Sequence, residues 1–330
     1  MAKYTPSEAK QWAREHIVKC TNAPTTPFNA DFSLDKEGLA FNVNKYAEVG
    51  LYGLMTGGNM AEAWNMTPTE WYEYTEICAK ANNGRMMLTS VVLDPSPFTV
   101  VEKANVLDDL GYDLLEVINP VLQLRSDDDI FGYFKYLNDN QPLAIALYNT
   151  ATAGVVLNHG LVNRLADLEK VVVIKNGLGN PADTIAMRKM CGDRIVVTEP
   201  NEAFFLWDAA AHGAQALYGT LEVVMFGEKR EKLWQLMDLA LAGKVDEAIP
   251  VFHELEPLRN LLGEVFMAPL FGRNVYNLAP IKYWMELLGY KMGVCRPPLA
   301  AQASEQDKAR IREVLLQEGI ITESDVARAA

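Results

Sequence analysis

Cysteine is scarce in this chain of 330 residues, and the four present, Cys20, Cys78, Cys191 and Cys295, form no C-x-x-C pair. That usage fits reduced thiols in a cytoplasmic protein, with a single disulfide left open. Basic residues are also in short supply: 30 Lys and Arg face 43 Asp and Glu, a net charge of −13. A surface of that sign does not hold nucleic acid, whose phosphates need clustered Lys and Arg. No run of apolar residues approaches a membrane span, and the first residues lack the apolar core of a signal peptide. Histidine occurs four times, at His16, His159, His212 and His253, without metal-ligand spacing between any two, so each reads as structural or surface. Low-complexity segments and flexible linkers are missing as well.

What the chain does have is core. Hydrophobic residues make up 49% of it and charged residues 22%, the balance of a globular protein. Residues 5–16 open with Thr5-Pro6-Ser7-Glu8, a helix start with proline in the first turn. Short apolar strand candidates then recur at 17–20, 51–56, 86–93, 113–118, 142–147, 170–174, 194–198 and 215–219. Segments of helical period lie between them, as at 68–81 and 99–110. Eight strands alternating with helices demand a parallel sheet, and eight is the number that closes a (β/α)8 TIM barrel. An open doubly wound sheet is the competitor, but the only Gly-rich turn, Gly57-Gly58-Asn59, lacks dinucleotide-binding spacing. Past Gly219 the pattern turns helical, at 229–242, 245–262, 281–288 and 306–318. The expected organisation is an N-terminal helical segment (1–16), a barrel (17–243) and a C-terminal helical extension (244–330) packed on it.

Active sites of such barrels form at the C-terminal ends of the strands. The run Val171-Val172-Val173-Ile174-Lys175 reads as a strand buried on both faces and ending in a lysine. Desolvation there would lower the amine pKa and make Lys175 a nucleophile toward carbonyls; the alternative is a strand-end lysine that snorkels to solvent. Tyr148-Asn149-Thr150 follows the fifth strand and places a phenol at the same mouth, either as an acid–base partner of the imine or as a backbone-satisfied tyrosine. After the second strand comes Thr56-Gly57-Gly58-Asn59-Met60-Ala61-Glu62, whose glycines allow close approach to a ligand. Trp64, in the same loop, is the one tryptophan placed to line a pocket; Trp71, Trp207, Trp234 and Trp284 read as core or interface aromatics. Asp127-Asp128-Asp129 starts a helix, where negative charge is favourable.

In this order, the residues resemble the dihydrodipicolinate synthase/N-acetylneuraminate lyase family of pyruvate-type aldolases, over about residues 20–300. Thr26-Pro27-Phe28 with Leu34-Asp35 is similar to the family opening, and Gly53 to Gly58 leads into Asn59-Met60-Ala61-Glu62 where the family shows G-T-T-G-E. Met66-Thr67-Pro68-Thr69-Glu70 resembles its L-T-x-x-E helix start. Tyr148 and Lys175 have nearly the spacing of its tyrosine and imine-forming lysine. Residues 213–220 resemble its glycine-containing eighth strand, and Pro280-Ile281-Lys282, Gly289 and Arg296-Pro297-Pro298-Leu299 its C-terminal signature. The resemblance implies a TIM barrel with a helical tail, forming a homotetramer or dimer. Lys175 would condense with a 2-oxo acid, Tyr148 would shuttle protons, and Thr26, Gly58, Asn59, Met60, Trp64 and Gly219 would contact substrate. No metal or organic cofactor is implied.

Departures from the family shape the expected activity. Asn59 and Met60 replace two threonine hydroxyls, and Met60 offers only apolar bulk. Asn119-Pro120-Val121-Leu122 replaces the family's tyrosine pair, Ala151 replaces a proline, and Ala153 stands where dihydrodipicolinate synthases carry arginine. These changes argue against dihydrodipicolinate synthase itself and, with no polar sugar-binding set evident, against sialic acid lyase. The expected reaction is that of an aldolase or hydratase-aldolase joining a 2-oxo acid to a larger, partly apolar or aromatic aldehyde. A sugar-acid dehydratase of the same chemistry and a non-catalytic ligand-binding barrel are the alternatives. A metal-dependent aldolase would need a His/Asp/Glu cluster that the sequence does not present.

Overall fold

The computed structural model describes residues 3–120, 124–150 and 154–329. The chain folds as two compact units, one of Met1–Asn22, Tyr52–Gly58 and Gly84–Thr220, the other of Ala23–Leu51, Asn59–Asn83 and Leu221–Ala330.

The first unit holds all eight expected strands: β1 (Lys19–Asn22), β2 (Gly53–Thr56), β3 (Met87–Val92), β4 (Leu114–Ile118), β5 (Ala144–Thr150), β6 (Val171–Gly177), β7 (Val196–Thr198) and β8 (Ala216–Thr220). All pair in parallel in the order β7-β6-β5-β4-β3-β2-β1-β8, and the two end strands approach each other, so the sheet is a nearly closed barrel. Val171, Val172, Val173 and Ile174 are all 0% exposed, as a strand covered on both faces requires. In chain order the helices of the whole protein begin with α1 (Ala9–His16), α2 (Lys36–Glu48), α3 (Pro68–Asn82), α4 (Pro97–Asp109), α5 (Asp127–Asn140), α6 (His159–Leu165), α7 (Pro181–Cys191) and α8 (Glu202–His212). The strands alternate with helices and C-terminal helices follow, which is the expected (β/α)8 barrel with a helical extension.

Two strands run further than their apolar residues suggest. β5 and β6 each continue three residues past the expected apolar runs, so Tyr148 and Lys175 lie inside the ladder, at paired positions, instead of at or just past the strand ends. Side-chain bonding sustains this. Asn149 Nδ2 donates to Asn176 Oδ1 at 2.8 Å, and Asn149 Oδ1 accepts from Leu157 N at 2.9 Å. At the other end of the barrel, the Tyr4 hydroxyl donates to Asp113 O and accepts from Ala144 N, while Gln215 Nε2 donates to the carbonyls of Arg14 and Ile17. The α1 segment thereby ties together the N-terminal ends of β4, β5 and β8.

The second unit contains α2 and α3, which pack on each other, and everything after Thr220: α9 (Glu222–Met225), α10 (Arg230–Leu241), α11 (Val245–Glu254), α12 (Glu256–Leu262), α13 (Ala268–Arg273), α14 (Leu278–Leu287), α15 (Glu305–Gln317) and α16 (Glu323–Ala329). The single helix expected at 245–262 is two, parting between Glu254 and Glu256. Pro257 falls in the first turn of α12, where it needs no N–H partner and closes off the preceding helix. Within this unit α14 is the centre: nine of its ten residues are buried, and α9, α15 and α16 pack against it. Thr67 caps α3 and Ser126 caps α5, each accepting from the third helical N–H, so Asp127-Asp128-Asp129 does begin a helix.

Candidate active site

The parallel registers place a defined set of side chains inside the barrel. Residues paired across a ladder face the same side, so Ile118, Tyr148, Lys175 and Thr198 form one inward row on β4 to β7. Lys175 is 7% exposed and Tyr148 9%. The lysine Nζ lies 4.7 Å from the centre of the Tyr148 ring, a cation–π contact, and 4.0 Å from Met55 Sδ on β2. On the remaining side it rests on β8: a Cβ added to Gly219 would overlap the Lys175 side chain, and Gly219 has φ +79°. Glycine is required there twice over, by conformation and by contact. Lys175, Tyr148 and Gly219 are therefore brought together. Gly58 belongs to the same unit, where a side chain on it would press on Val91 of β3.

The other residues singled out from sequence sit in the second unit. Thr26 is fully buried and its hydroxyl donates to Ala61 O at 2.8 Å. Met60 accepts through sulfur from the Tyr276 hydroxyl at 3.1 Å. Asn59 is half-buried beside it, and Trp64 is 43% exposed in a short 3-10 turn, Ala63–Asn65. Val121, Leu122, Ala151 and Ala153 lie outside the described residues.

The resemblance motifs also acquire a physical role. Glu62, the acid that closes the Asn59–Glu62 turn, has φ +53° and is 0% exposed. Its Oε1 is 2.7 Å from Lys282 Nζ on α14, and its Oε2 accepts from Arg296 N at 2.9 Å. Lys282 also donates to Val294 O at 2.6 Å, and both Lys282 and Arg296 stack on the Phe28 ring. Arg296 forks onto Glu70, the first-turn acid of α3, whose carboxyl it holds down at about 2. Pro280-Ile281-Lys282 and Arg296-Pro297-Pro298 thus fasten the loop before α3 within the second unit.

Behind the inward row, polar side chains at the ends of β5 to β7 form a continuous buried chain. Asn176 Nδ2 donates to Asp183 Oδ2 (2.9 Å) and Thr184 Oγ1 (3.0 Å), and Thr184 Oγ1 donates to Glu199 Oε2 (2.8 Å). Burial lifts the Glu199 carboxyl to about 7. His159, one of the four histidines, closes this chain at the surface through Asp183 at 2.8 Å. A second buried acid, Glu116 on β4, was not among the residues singled out. It is 0% exposed and burial lifts it to about 7, with the Lys175 ammonium pulling the other way. The signal was present, because one acid interrupts an otherwise apolar strand, Leu114-Leu115-Glu116-Val117-Ile118.

A parallel eight-stranded barrel with a lysine enclosed at the C-terminal half of its sixth strand defines the class. The chain belongs to the dihydrodipicolinate synthetase family, whose model matches residues 17–318. The 4-hydroxy-tetrahydrodipicolinate synthase 1 of Halalkalibacterium halodurans is 25% identical over 294 residues, 89% of this chain and 95% of the relative. The 4-hydroxy-tetrahydrodipicolinate synthase of Pelobacter propionicus is 27% identical over 300 residues, 91% and 98% of the two chains. The crystal structure of dihydrodipicolinate synthase from Aquifex aeolicus superposes with a TM-score of 0.80 at 20% identity, covering 93% of this chain and 99% of that one. These findings overturn one expectation. The departures at Asn59, Met60, Asn119-Pro120-Val121-Leu122, Ala151 and Ala153 argue against dihydrodipicolinate synthase itself, yet the curated relatives matched along nine-tenths of the chain carry that name. Side-chain exchanges at these few positions do not license the exclusion.

Proposed function

We propose that this protein is a lyase that forms an imine between Lys175 and a 2-oxo acid such as pyruvate. The observation that carries the reading is the enclosure of the Lys175 amine by the Tyr148 ring, the Met55 sulfur and the backbone of Gly219. Attack of the amine on the ketone carbon, with loss of one water, leaves a C=N bond. Protonated at nitrogen, that bond draws electrons from the adjacent carbon. Departure of an aldehyde fragment or of a proton from that carbon then yields an enamine instead of a bare carbanion, and the reverse sequence joins the two. Tyr148, paired with Lys175 across the ladder, gives and takes the protons that these steps require. The scheme calls on no metal or organic cofactor, so turnover should survive chelators.

The partner we propose is a larger aldehyde, partly apolar or aromatic, used in an aldolase or hydratase-aldolase reaction. Met60, in place of a hydroxyl, supports this half of the reading.

Borohydride reduction in the presence of pyruvate, followed by peptide mass analysis, tests the imine. A stable adduct on Lys175, absent from Lys175→Ala, is the expected result; no adduct with pyruvate or other 2-oxo acids would overturn it. Steady-state comparison of aromatic aldehydes, sugar-derived 2-oxo acids and 4-hydroxy-tetrahydrodipicolinate formation tests the partner. Preference for either of the last two would remove the apolar partner while leaving the imine intact.

A further inference from the structure

Glu116 breaks the rule of its strand. Both carboxylate oxygens are buried and neither has a hydrogen-bond partner among the described residues. A carboxyl in that state is costly to bury, and the cost falls when a charge of opposite sign is nearby.

Register shows where the side chain points. Glu116 pairs with Val91 on β3 and Ala146 on β5, and Ala146 pairs with Val173 on β6. This is the inward row directly beneath Ile118, Tyr148, Lys175 and Thr198, two residues or roughly 6.6 Å down the strands. Of the side chains at its own level, Ala146 leaves the most room. The titratable groups that face Glu116 are Lys175 from β6 and Tyr218 from β8; Val91 and Ala146 do not ionise. Tyr218 shares a hydrogen bond with Thr89 Oγ1 at 2.8 Å, and burial together with the Glu116 charge keeps its phenol neutral. Lys175 is the cation that acts on Glu116.

We propose that Glu116 is the buried counter-charge of the Lys175 nitrogen, a positioning residue that holds a proton on that nitrogen once it has become an imine. The proposal rests on the imine reading above. Condensation of the protonated lysine with the ketone makes one C=N bond and expels one water, and the nitrogen keeps one proton and its positive charge; the ionised Glu116 balances that charge, so the protonated imine is not left uncompensated in the barrel interior. The protonated imine is the electron sink of the reaction, and an acid poised near neutrality beneath it keeps that sink charged over the working pH range. An acid at about 7 has the right poise.

The test is the pH profile of borohydride trapping with pyruvate, from roughly pH 5 to 9, in the wild-type protein, Glu116→Gln and Glu116→Asp. The profiles should coincide below about pH 6, where the carboxyl is neutral. By about pH 8 Glu116→Gln should trap about tenfold more slowly, and Glu116→Asp should recover part of the loss. Parallel profiles would overturn the proposal, since a purely structural residue shifts all pH values alike. The second measurement needs no substrate: the carboxyl infrared absorption that Glu116→Gln removes is titrated in wild type and in Lys175→Met. Loss of the cation should move that titration to higher pH, and an unmoved titration would overturn the pairing. Absence of any pyruvate adduct would sink the imine reading alone, and the infrared titration would still decide the pairing.

Discussion

Gly219 has no side chain because Lys175 occupies the place one would take. Its φ of +79° adds a second constraint, since an L side chain there is strained by about 1–2 kcal/mol. Gly219→Ala should therefore lower stability by about that amount and displace the amine. Displacement by about an ångström should slow pyruvate trapping about a hundredfold. Unfolding and trapping measured on the same preparation separate the two effects, and an unchanged trapping rate would show that the lysine has room to move. Glu199 makes a different kind of prediction. Its folded-state value of about 7 lies above the ordinary 4.5, so the fold favours the neutral acid. The contribution of this group is full below about pH 4.5 and is lost as pH rises through about 7, a change of about 3 kcal/mol. Glu199→Gln retains an acceptor for Thr184 and removes the ionisation. Urea unfolding at about pH 5 and pH 8 should show a smaller difference between the two pH values in the variant.

Among the elements, α14 and the loop before α3 depend on one buried ion pair. Glu62 and Lys282 are 0% and 1% exposed, and each has one backbone partner besides the other, Arg296 N for Glu62 and Val294 O for Lys282. Removing one member strands the other in an apolar interior. Lys282→Met should cost about 3–5 kcal/mol, whereas the double variant with Glu62→Gln should recover much of that loss. Additive losses in a double-mutant cycle would show that the two side chains do not act as a pair. The split of 245–262 into α11 and α12 belongs to this scale too. The apolar period runs straight through both helices, but Pro257 obliges the chain to begin a new one.

On the scale of the whole molecule, the net charge of −13 makes copies of the chain repel one another and disfavours polyanionic partners. No helix among the described residues is long and apolar enough to cross a membrane. The family resemblance implies a homotetramer or dimer, and several large apolar side chains remain exposed, Phe98 at 71% and Phe271 at 56% among them. Light scattering should give a mass of two or four chains; a single-chain mass would withdraw that expectation.

Alternation of apolar strands with helical segments determined the barrel, because only a parallel sheet joins elements in that order and eight units close it. The sequence also marked Tyr148 and Lys175, since their strands are apolar up to those positions. It did not determine that both lie within the ladder. Extension of β5 and β6 depends on Asn149 and Asn176 meeting across 27 residues of chain. Nor did it reveal that Glu62, far off in the chain, meets Lys282 and Arg296, or that those two cations lie over the Phe28 ring. Local pattern reports which face of an element is apolar. Which charge a buried acid meets is decided by register between strands, and so only the folded barrel sets Glu116 beneath Lys175.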